Sequence, residues 1–338
     1  MFNVIPSENS VQWNEIIQNM DGFDFYHLAE YHQLDKSGAS YLLYEPGEKA
    51  AFAIPVILRS IEGTKYNDIT SIYGYSGPVS NTNHPSQEAI RRFQRNLFRF
   101  FDENSVVSVF ARLHPLFQDQ EKILEGIGSI VNTGTTVAID LNLPENEQKR
   151  QYAHSLRNAI NRMKRKNVTV KKAETHTEVE AFVKVYTENM HRVHASDVYF
   201  FDNSYFFRFL ETLPSVLYLV YYEDKIISGS LFTDCNGIIQ PHLSATLNDY
   251  LRLSPLKYLW DQIRLYGVES NRKIMHLGGG FGGNRDTLFE FKAQFSHQHF
   301  PFKTWRYIHN PNIYDQITAG KFDSQLPDSS FFPLYRLG

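Results

Sequence analysis

The sequence predicts a mixed α/β protein assembled twice from one pattern, each copy a mixed central sheet flanked by helices. Three observations carry this. The 338 residues, 42% hydrophobic and 21% charged, are enough for two domains of ordinary size with a substantial core in each. Short β-branched and aromatic runs alternate with amphipathic stretches along the whole chain. The strand–turn–strand stretch 41–60 (YLLYEPGEKAAFAIPVILRS) is answered by 217–234 (LYLVYYEDKIISGSLFTD), and strand, helix, strand follow each. A period of about 170 residues is too long for a solenoid and reads as two related domains, whose shared groove is a common place for a ligand. The expected domains are 1–143 and 144–338, joined where Asn142, Pro144 and Asn146 cluster.

In the first copy the pattern predicts a helix over 23–37 and strands over 39–44 and 50–59 around the turn Glu45-Pro46-Gly47-Glu48. A strand over 69–75 ends at Gly77-Pro78. The helix 85–103 places Ile90, Phe93, Leu97 and Phe101 on one face, and the strand 105–110 follows. The second copy opens with a helix over 145–166 and continues with a helix over 204–213 after Asp202 and Asn203. Strands over 216–222 and 225–233 flank Glu223-Asp224, and a third covers 237–245. The helix 254–267 has Ser254 placed as N-cap and Pro255 at its first position, and a short strand 274–277 runs into glycines.

Composition narrows the function classes. The net charge of -3 is too near neutral for a general nucleic-acid coat, so DNA is not an expected partner and any anion site is local. Cys235 is the single cysteine, which leaves no internal disulfide and no thiolate zinc cluster, and no metal is expected. The longest apolar stretch, 50–58, contains Pro55 and falls far short of the roughly 20 residues that span a bilayer. The N-terminal residues show neither a basic nor an apolar leader region, so the expected location is the cytoplasm, with the inner face of the membrane as a further peripheral contact.

Two stretches carry candidate chemistry. From Gln148 to Ala173 there are nine basic residues and no acidic one. Leu156, Ile160 and Met163 form the stripe that packs down; Arg157, with Asn158 and Asn161 beside it, lies next to that stripe, where a guanidinium makes a fixed contact to an anion. The bland reading of the cluster is a solvated helix whose cations favour its C-terminal dipole. The second stretch, 276–292, holds five glycines in the six positions 278–283. Gly278, Gly279 and Gly280 let backbone approach a ligand, Asn284 follows, and Leu288, Phe291 and Phe295 make a helical stripe, with Asp286 acceptable as the helix start. No Walker lysine follows, and the Rossmann spacing is matched only loosely.

Other candidates are weaker. His191 and His194 lack the HExxH pattern of a zinc site, Ser76 lacks the spacing of a nucleophile elbow, and Cys235 has no cationic neighbour to activate it. His242 lies on the strand that corresponds to the one bearing Tyr73 and Tyr75, and an imidazole suits deprotonation of an attacking amine. A hydrogen-bonded structural histidine is the competing reading.

Taken together, Tyr73-Gly74-Tyr75-Ser76-Gly77-Pro78, Leu156-Arg157-Asn158-Ala159-Ile160-Asn161-Arg162, His242-Leu243-Ser244-Ala245-Thr246, Gly278-Gly279-Gly280 and Leu288-Phe289-Glu290-Phe291-Lys292 resemble the Fem-type aminoacyltransferases and their acetyltransferase-like relatives. The resemblance runs over nearly the whole chain and implies tandem duplicated domains of the GNAT acyltransferase fold. It implies transfer of an acyl or aminoacyl group to an amine or hydroxyl of a phosphorylated cell-envelope precursor, peptidoglycan or polysaccharide. Either acyl-CoA or aminoacyl-tRNA is the implied donor, the latter making tRNA a partner. A first-domain lysine and a second-domain arginine bind precursor phosphate in that family, and Lys36 and Arg157 match them. Catalytic roles fall to His242 and Tyr75; substrate contacts fall to Lys36, Tyr73, Arg157, Asn161, Gly278, Gly279, Gly280, Asn284 and Lys292. Two departures stand out. The place of the coenzyme A pyrophosphate loop reads Asn248-Asp249-Tyr250-Leu251-Arg252-Leu253-Ser254-Pro255, without glycine, and 166–204 is too short for the helical hairpin of some tRNA-using members. The alternatives are a non-catalytic nucleotide-sugar or RNA-binding protein on the same fold, and an acetyl-CoA-dependent N-acetyltransferase with another small acceptor.

Overall fold

The computed structural model describes residues 1–322 and 331–337. Two compact units form: Met1–Thr133 with Pro301–Gly338, and Gly134–Phe300. In chain order the first unit holds β1 (Asn3–Pro6), α1 (Ser10–Gln18), α2 (Ala29–His32), β2 (Ala39–Glu45), β3 (Phe52–Ser60), β4 (Asn67–Thr70) and β5 (Val79–Ser80). Helix α3 (Gln87–Glu103), β6 (Val106–Arg112) and α4 (Asp119–Ile123) follow, and the chain leaves this unit within β7 (Ser129–Asp140). The second unit contains α5 (Glu145–Arg150), α6 (His154–Arg165), β8 (Thr169–Lys172), α7 (His176–Arg192) and α8 (Asn203–Thr212). Then come β9 (Ser215–Tyr222), β10 (Lys225–Cys235), β11 (Ile238–Thr246), α9 (Pro255–Glu269), β12 (Ile274–Gly279) and α10 (Thr287–Ala293). The chain returns to the first unit within β13 (Gln298–Ile308), followed by α11 (Pro311–Lys321).

Both units follow one plan. In the first, the strands run β1-β2-β3-β4-β6-β13, with β5 also on β3; in the second they run β8-β9-β10-β11-β12-β7. Neighbours are antiparallel except for one pair in each, β4 with β6 and β11 with β12. Parallel neighbours need a crossover, and α3 and α9 supply it. The last strand of each sheet explains why the units differ from the expected 1–143 and 144–338. Thr304 to Ile308 pair with β6, and Trp305 is fully buried in the first unit's core, while Thr136 to Asp140 pair with β12. The segment after β13 also belongs to the first unit: Tyr314 and Tyr335 pack with Ile61 and Val107, and the Tyr335 hydroxyl lies 2.7 Å from that of Ser108.

The hydrophobic stripes settle where each core lies. Ile90, Phe93, Leu97 and Phe101 of α3 are buried against Phe52, Ile54 and Val56 of β3, at roughly 1.5–3 kcal/mol for each large side chain removed from water. In the second unit Leu156, Ile160 and Met163 of α6 are buried with Leu259 and Ile263 of α9.

Three expected elements differ. The helix over 23–37 is a 3₁₀ turn, Phe25–His27, then α2, because Asp24 caps the turn and Leu28 between them is extended (φ -80, ψ 143). The strand over 69–75 stops at Thr70: Gly74 and Gly77 sit at φ 117 and 98, and a Cβ on Gly74 would overlap the ring of Tyr26. The helix over 145–166 breaks between α5 and α6. There the Tyr152 hydroxyl donates to buried Asp261 at 2.8 Å and the Ala153 N–H donates to the Gln294 carbonyl at 2.9 Å.

Candidate functional site

The glycine run begins inside β12, not after it. The pairing with β7 slips between His276 and Gly278, where Gly278 takes φ 77, and a Cβ on Gly279 would stand 2.7 Å from the Thr135 carbonyl oxygen. Beyond it the chain turns through Phe281–Gly283, with Gly282 and Gly283 at φ 61 and 87. A Cβ on Gly280 would overlap the Asn284 carbonyl and the Asp286 carboxylate, so this position is closed to any larger residue. Asp286 organises the turn: it accepts the N–H groups of Phe281 and of Phe289, each at 2.9 Å, the latter as N-cap of α10. Burial works to raise its carboxyl, but these N–H bonds outweigh it and hold the group below the usual carboxylate range.

From α10, Lys292 reaches back and donates to the Gly279 carbonyl at 2.6 Å. Burial pushes its ammonium down to about 8, against the opposing charge of Asp286. The expected amide donors of the loop are largely spent inside it. Gly283 N–H donates to Gly280 and Asn284 N–H to Phe281, besides the Phe281 N–H on Asp286, while the Asn284 side chain folds back on the Phe281 carbonyl at 3.2 Å. The half-buried positive group at this strand end is therefore Lys292, with Arg285 exposed in the turn over the Phe289 ring at 5.3 Å. Phe281 itself stands 67% exposed at the tip.

On α6, Arg157 and Asn161 are both exposed, and Arg157 donates to the Arg150 carbonyl at 3.1 Å instead of lying at a buried edge. The half-buried guanidinium of this helix is that of Arg162, whose Nη2 donates to the carbonyls of Arg252 and Leu253 at 2.9 Å each. It thereby fixes the 3₁₀ turn Asn248–Leu253 that precedes α9. That turn is a poor cradle for a pyrophosphate. Ser254 is the N-cap of α9 as expected but sits at φ 57 with no side-chain cap bond, and Pro255 has no N–H. The N–H groups of Tyr250, Ser254 and Lys257 bond to neighbouring carbonyls and that of Asn248 to Glu188. The residues before α9 thus do not fit the pyrophosphate of coenzyme A.

His242 lies on β11 with its Nε2 3.1 Å from the Tyr205 hydroxyl and its ring stacked on Phe209 at 4.7 Å. Part of its surface is accessible, yet burial pushes the imidazole down to about 3, so it is neutral at physiological pH. In the first unit, Lys36 is exposed in the loop after α2. Tyr73 is exposed over the Arg112 guanidinium at 5.6 Å, and its carbonyl accepts the Tyr31 hydroxyl. Tyr75 is half-buried and meets Tyr26, His114 and Phe302 edge-on.

Sequence reasoning passed over the polar cluster beneath that loop. Asp24 and His114 are buried and bonded at 3.1 Å, and Gln120 joins the His114 N–H at 2.8 Å to the Ser76 carbonyl at 2.8 Å. Burial raises the Asp24 carboxyl to about 7 and lowers His114 and His27 to about 3. No spacing in the sequence links residues 24, 114 and 120; only the buried character of a lone Asp among aromatics could have hinted at it. Among the described residues no group of three His, Cys, Asp or Glu side chains could hold a metal, and no helix is long and apolar enough to cross a membrane.

The duplicated six-strand plan, each copy with one helical crossover to a parallel strand, defines a tandem GNAT-like acyltransferase fold. FemX shares it, with a TM-score of 0.72 at 11% identity over 91% of this chain and 98% of that one. L-PGS from Bacillus licheniformis matches with a TM-score of 0.59 at 12% identity, over 89% of this chain and 92% of that chain. The C-terminal domain of a putative lysylphosphatidylglycerol synthetase from Agrobacterium fabrum matches with a TM-score of 0.58 at 15% identity, over 91% and 93%. At such identities the likeness is one of fold, and at that level the resemblance to Fem-type proteins holds. No family model and no curated protein sequence matches the chain.

Proposed function

We propose that this protein is an acyltransferase that moves an acyl or aminoacyl group onto an amine or hydroxyl of a phosphorylated cell-envelope precursor. The observation that carries the reading is Lys292 held on the Gly279 carbonyl, at the glycine end of β12, in a fold shared with FemX, with L-PGS and with a domain named as that of a putative lysylphosphatidylglycerol synthetase. Glycine at 279 and 280 lets the Thr135 and Asn284 carbonyls and the Asp286 carboxylate close against the strand end, which shapes the turn beside Lys292. As the acceptor nitrogen or oxygen attacks the donor carbonyl, the new bond forms and negative charge grows on the carbonyl oxygen. A half-buried ammonium stabilises that charge more than it does the neutral ground state. Collapse breaks the donor's ester or thioester bond; the proton lost by the acceptor balances the one gained by the leaving group, and a lysine near 8 is suited to exchange it.

In the second unit Arg157 and Asn161, both open to solvent, are assigned to acceptor phosphate; in the first unit Lys36 and Tyr73, also exposed, are assigned substrate contacts. Tyr75 and His242 are assigned positioning roles, because one ring is packed by three neighbours and the other is neutral and bonded to Tyr205. The start of α9, poor in free amides, favours an aminoacyl ester over a coenzyme A thioester as donor.

The test is a transfer assay with labelled aminoacyl-tRNA and labelled acetyl-CoA, each with a nucleotide-linked muropeptide as acceptor. Label moving to the acceptor from aminoacyl-tRNA is the expected result. Label from neither donor, with the acceptor still raising the melting temperature, would replace this reading by the non-catalytic one.

A further inference from the structure

Outside the glycine loop, the second unit carries a surface built from three neighbouring pieces. The last turn of α6 presents Lys164, Arg165 and, at its C-cap, Lys166, all exposed. The β9–β10 hairpin brings Tyr222 and exposed Lys225. The 3₁₀ turn Asn248–Leu253 brings Tyr250, Leu251 and Arg252. Contacts tie them into one patch: Lys166 lies over the Tyr222 ring at 5.4 Å, Tyr222 meets Tyr250 edge-on at 6.3 Å, and Lys225 lies over Tyr250 at 5.2 Å.

Leu251 stands 38% exposed at the tip of the turn. A single exposed leucine needs no explanation, but this one stands between Tyr250, which belongs to the tyrosine–lysine cluster, and exposed Arg252, on a fixed backbone. Arg162 bonds the next two carbonyls, and the Asn248 N–H is held by Glu188 at 2.9 Å. The carboxylates in and beside the patch, Glu188, Glu223, Asp224 and Asp249, are outnumbered by its five exposed cations, Lys164, Arg165, Lys166, Lys225 and Arg252.

We infer that this patch docks on an anionic lipid surface, with Leu251 entering the headgroup boundary, Tyr222 and Tyr250 at the interface, and the lysines and Arg252 on lipid phosphates. Apolar tip, tyrosine girdle and long cationic side chains form the composition that suits a membrane–water interface. RNA fits less well. Sequence-tolerant RNA binding stacks bases on open aromatic faces, and here lysines already cover faces of Tyr222 and Tyr250. The inference does not depend on the transferase reading.

Co-sedimentation of the full chain with vesicles tests it, using phosphatidylglycerol–phosphatidylcholine mixtures and phosphatidylcholine alone, beside a filter-binding arm with uncharged tRNA. Binding to the anionic vesicles alone is expected. Each cation removed lowers partitioning about fivefold, so Lys166→Gln with Lys225→Gln loses more than tenfold, whereas Arg91→Gln with Arg95→Gln, the same charge change on exposed α3 positions, loses little. Leu251→Ser weakens vesicle binding and leaves any tRNA retention unchanged. Melting temperatures within a few degrees of the parent show that the variants fold. Equal losses for the two charge pairs, a Leu251→Ser variant that binds vesicles like the parent, or patch-dependent retention of tRNA without vesicle binding would overturn the inference.

Discussion

Four histidine rings, His27, His32 and His114 buried and His242 half-buried, make the acid response of this protein predictable residue by residue. Burial lowers His27, His114 and His242 to about 3 and His32 to about 4. In the unfolded chain these rings titrate near 6.5, so between pH 6.5 and 4 unfolding takes up protons that the folded state refuses. Their contribution is complete above the unfolded value and is lost as pH falls toward the folded one. Asp24, raised to about 7, acts in the opposite direction, since its folded form binds a proton that the unfolded form has shed above pH 4. Four groups outweigh one. Urea unfolding at pH 7.0 and 5.0 is therefore expected to show the lower midpoint at pH 5.0, with a smaller difference in His114→Gln. Little of this was legible in the sequence. His242 owes its neutrality to Tyr205 and Phe209 on another element, and Asp24 meets His114 across 90 residues of chain. Gly278, Gly279 and Gly280 were legible, because glycine announces a close backbone approach wherever it clusters.

At the scale of elements, the break between α5 and α6 is held by a buried ionic network. Arg264 of α9 is fully buried and donates to Asp261 at 3.2 Å and to the Gln148 side chain at 2.9 Å, while Tyr152 donates to Asp261 from the break itself. Removing one partner leaves a buried charge without its counter-ion, which typically costs about 3–5 kcal/mol. Arg264→Met is expected to lose stability on that scale in denaturant titration. Arg264→Met combined with Asp261→Asn should recover part of it, because the stranded charge is gone. The stripe Leu156, Ile160, Met163 showed that α6 exists and which face it buries. Its start could not be read, since the partner that pulls Tyr152 inward lies 109 residues further on. Helix α3 was readable almost to its ends, because Ser86 caps it with a bond to the Ala89 N–H and its stripe is unbroken.

For the whole molecule, the governing feature is that each sheet is finished by a strand from beyond the next copy or before it. Cutting between 143 and 144 strips β6 of Thr304 to Ile308 and takes Trp305 from the first core; it also strips β12 of Thr136 to Asp140. Neither 1–143 nor 144–338 is expected to melt cooperatively when expressed alone, whereas 134–300 keeps a complete sheet and should. The duplication itself was visible in the sequence because strand and helix periods are local. The exchange of closing strands was not, since pairing between residues nearly 200 positions apart leaves no periodic trace.

Turnover by Lys292→Met decides whether Lys292 supplies the charge on which the proposed acyl transfer runs. Loss of a single oxyanion donor typically costs about 10²–10³ in kcat. The expected result is a fall of that size in transfer to the muropeptide acceptor, with acceptor binding retained by thermal shift. In the parent, the rate should decline as pH rises through about 8, where the ammonium loses its proton. A Lys292→Met protein that turns over at the parent rate, with the same pH profile, would contradict the account.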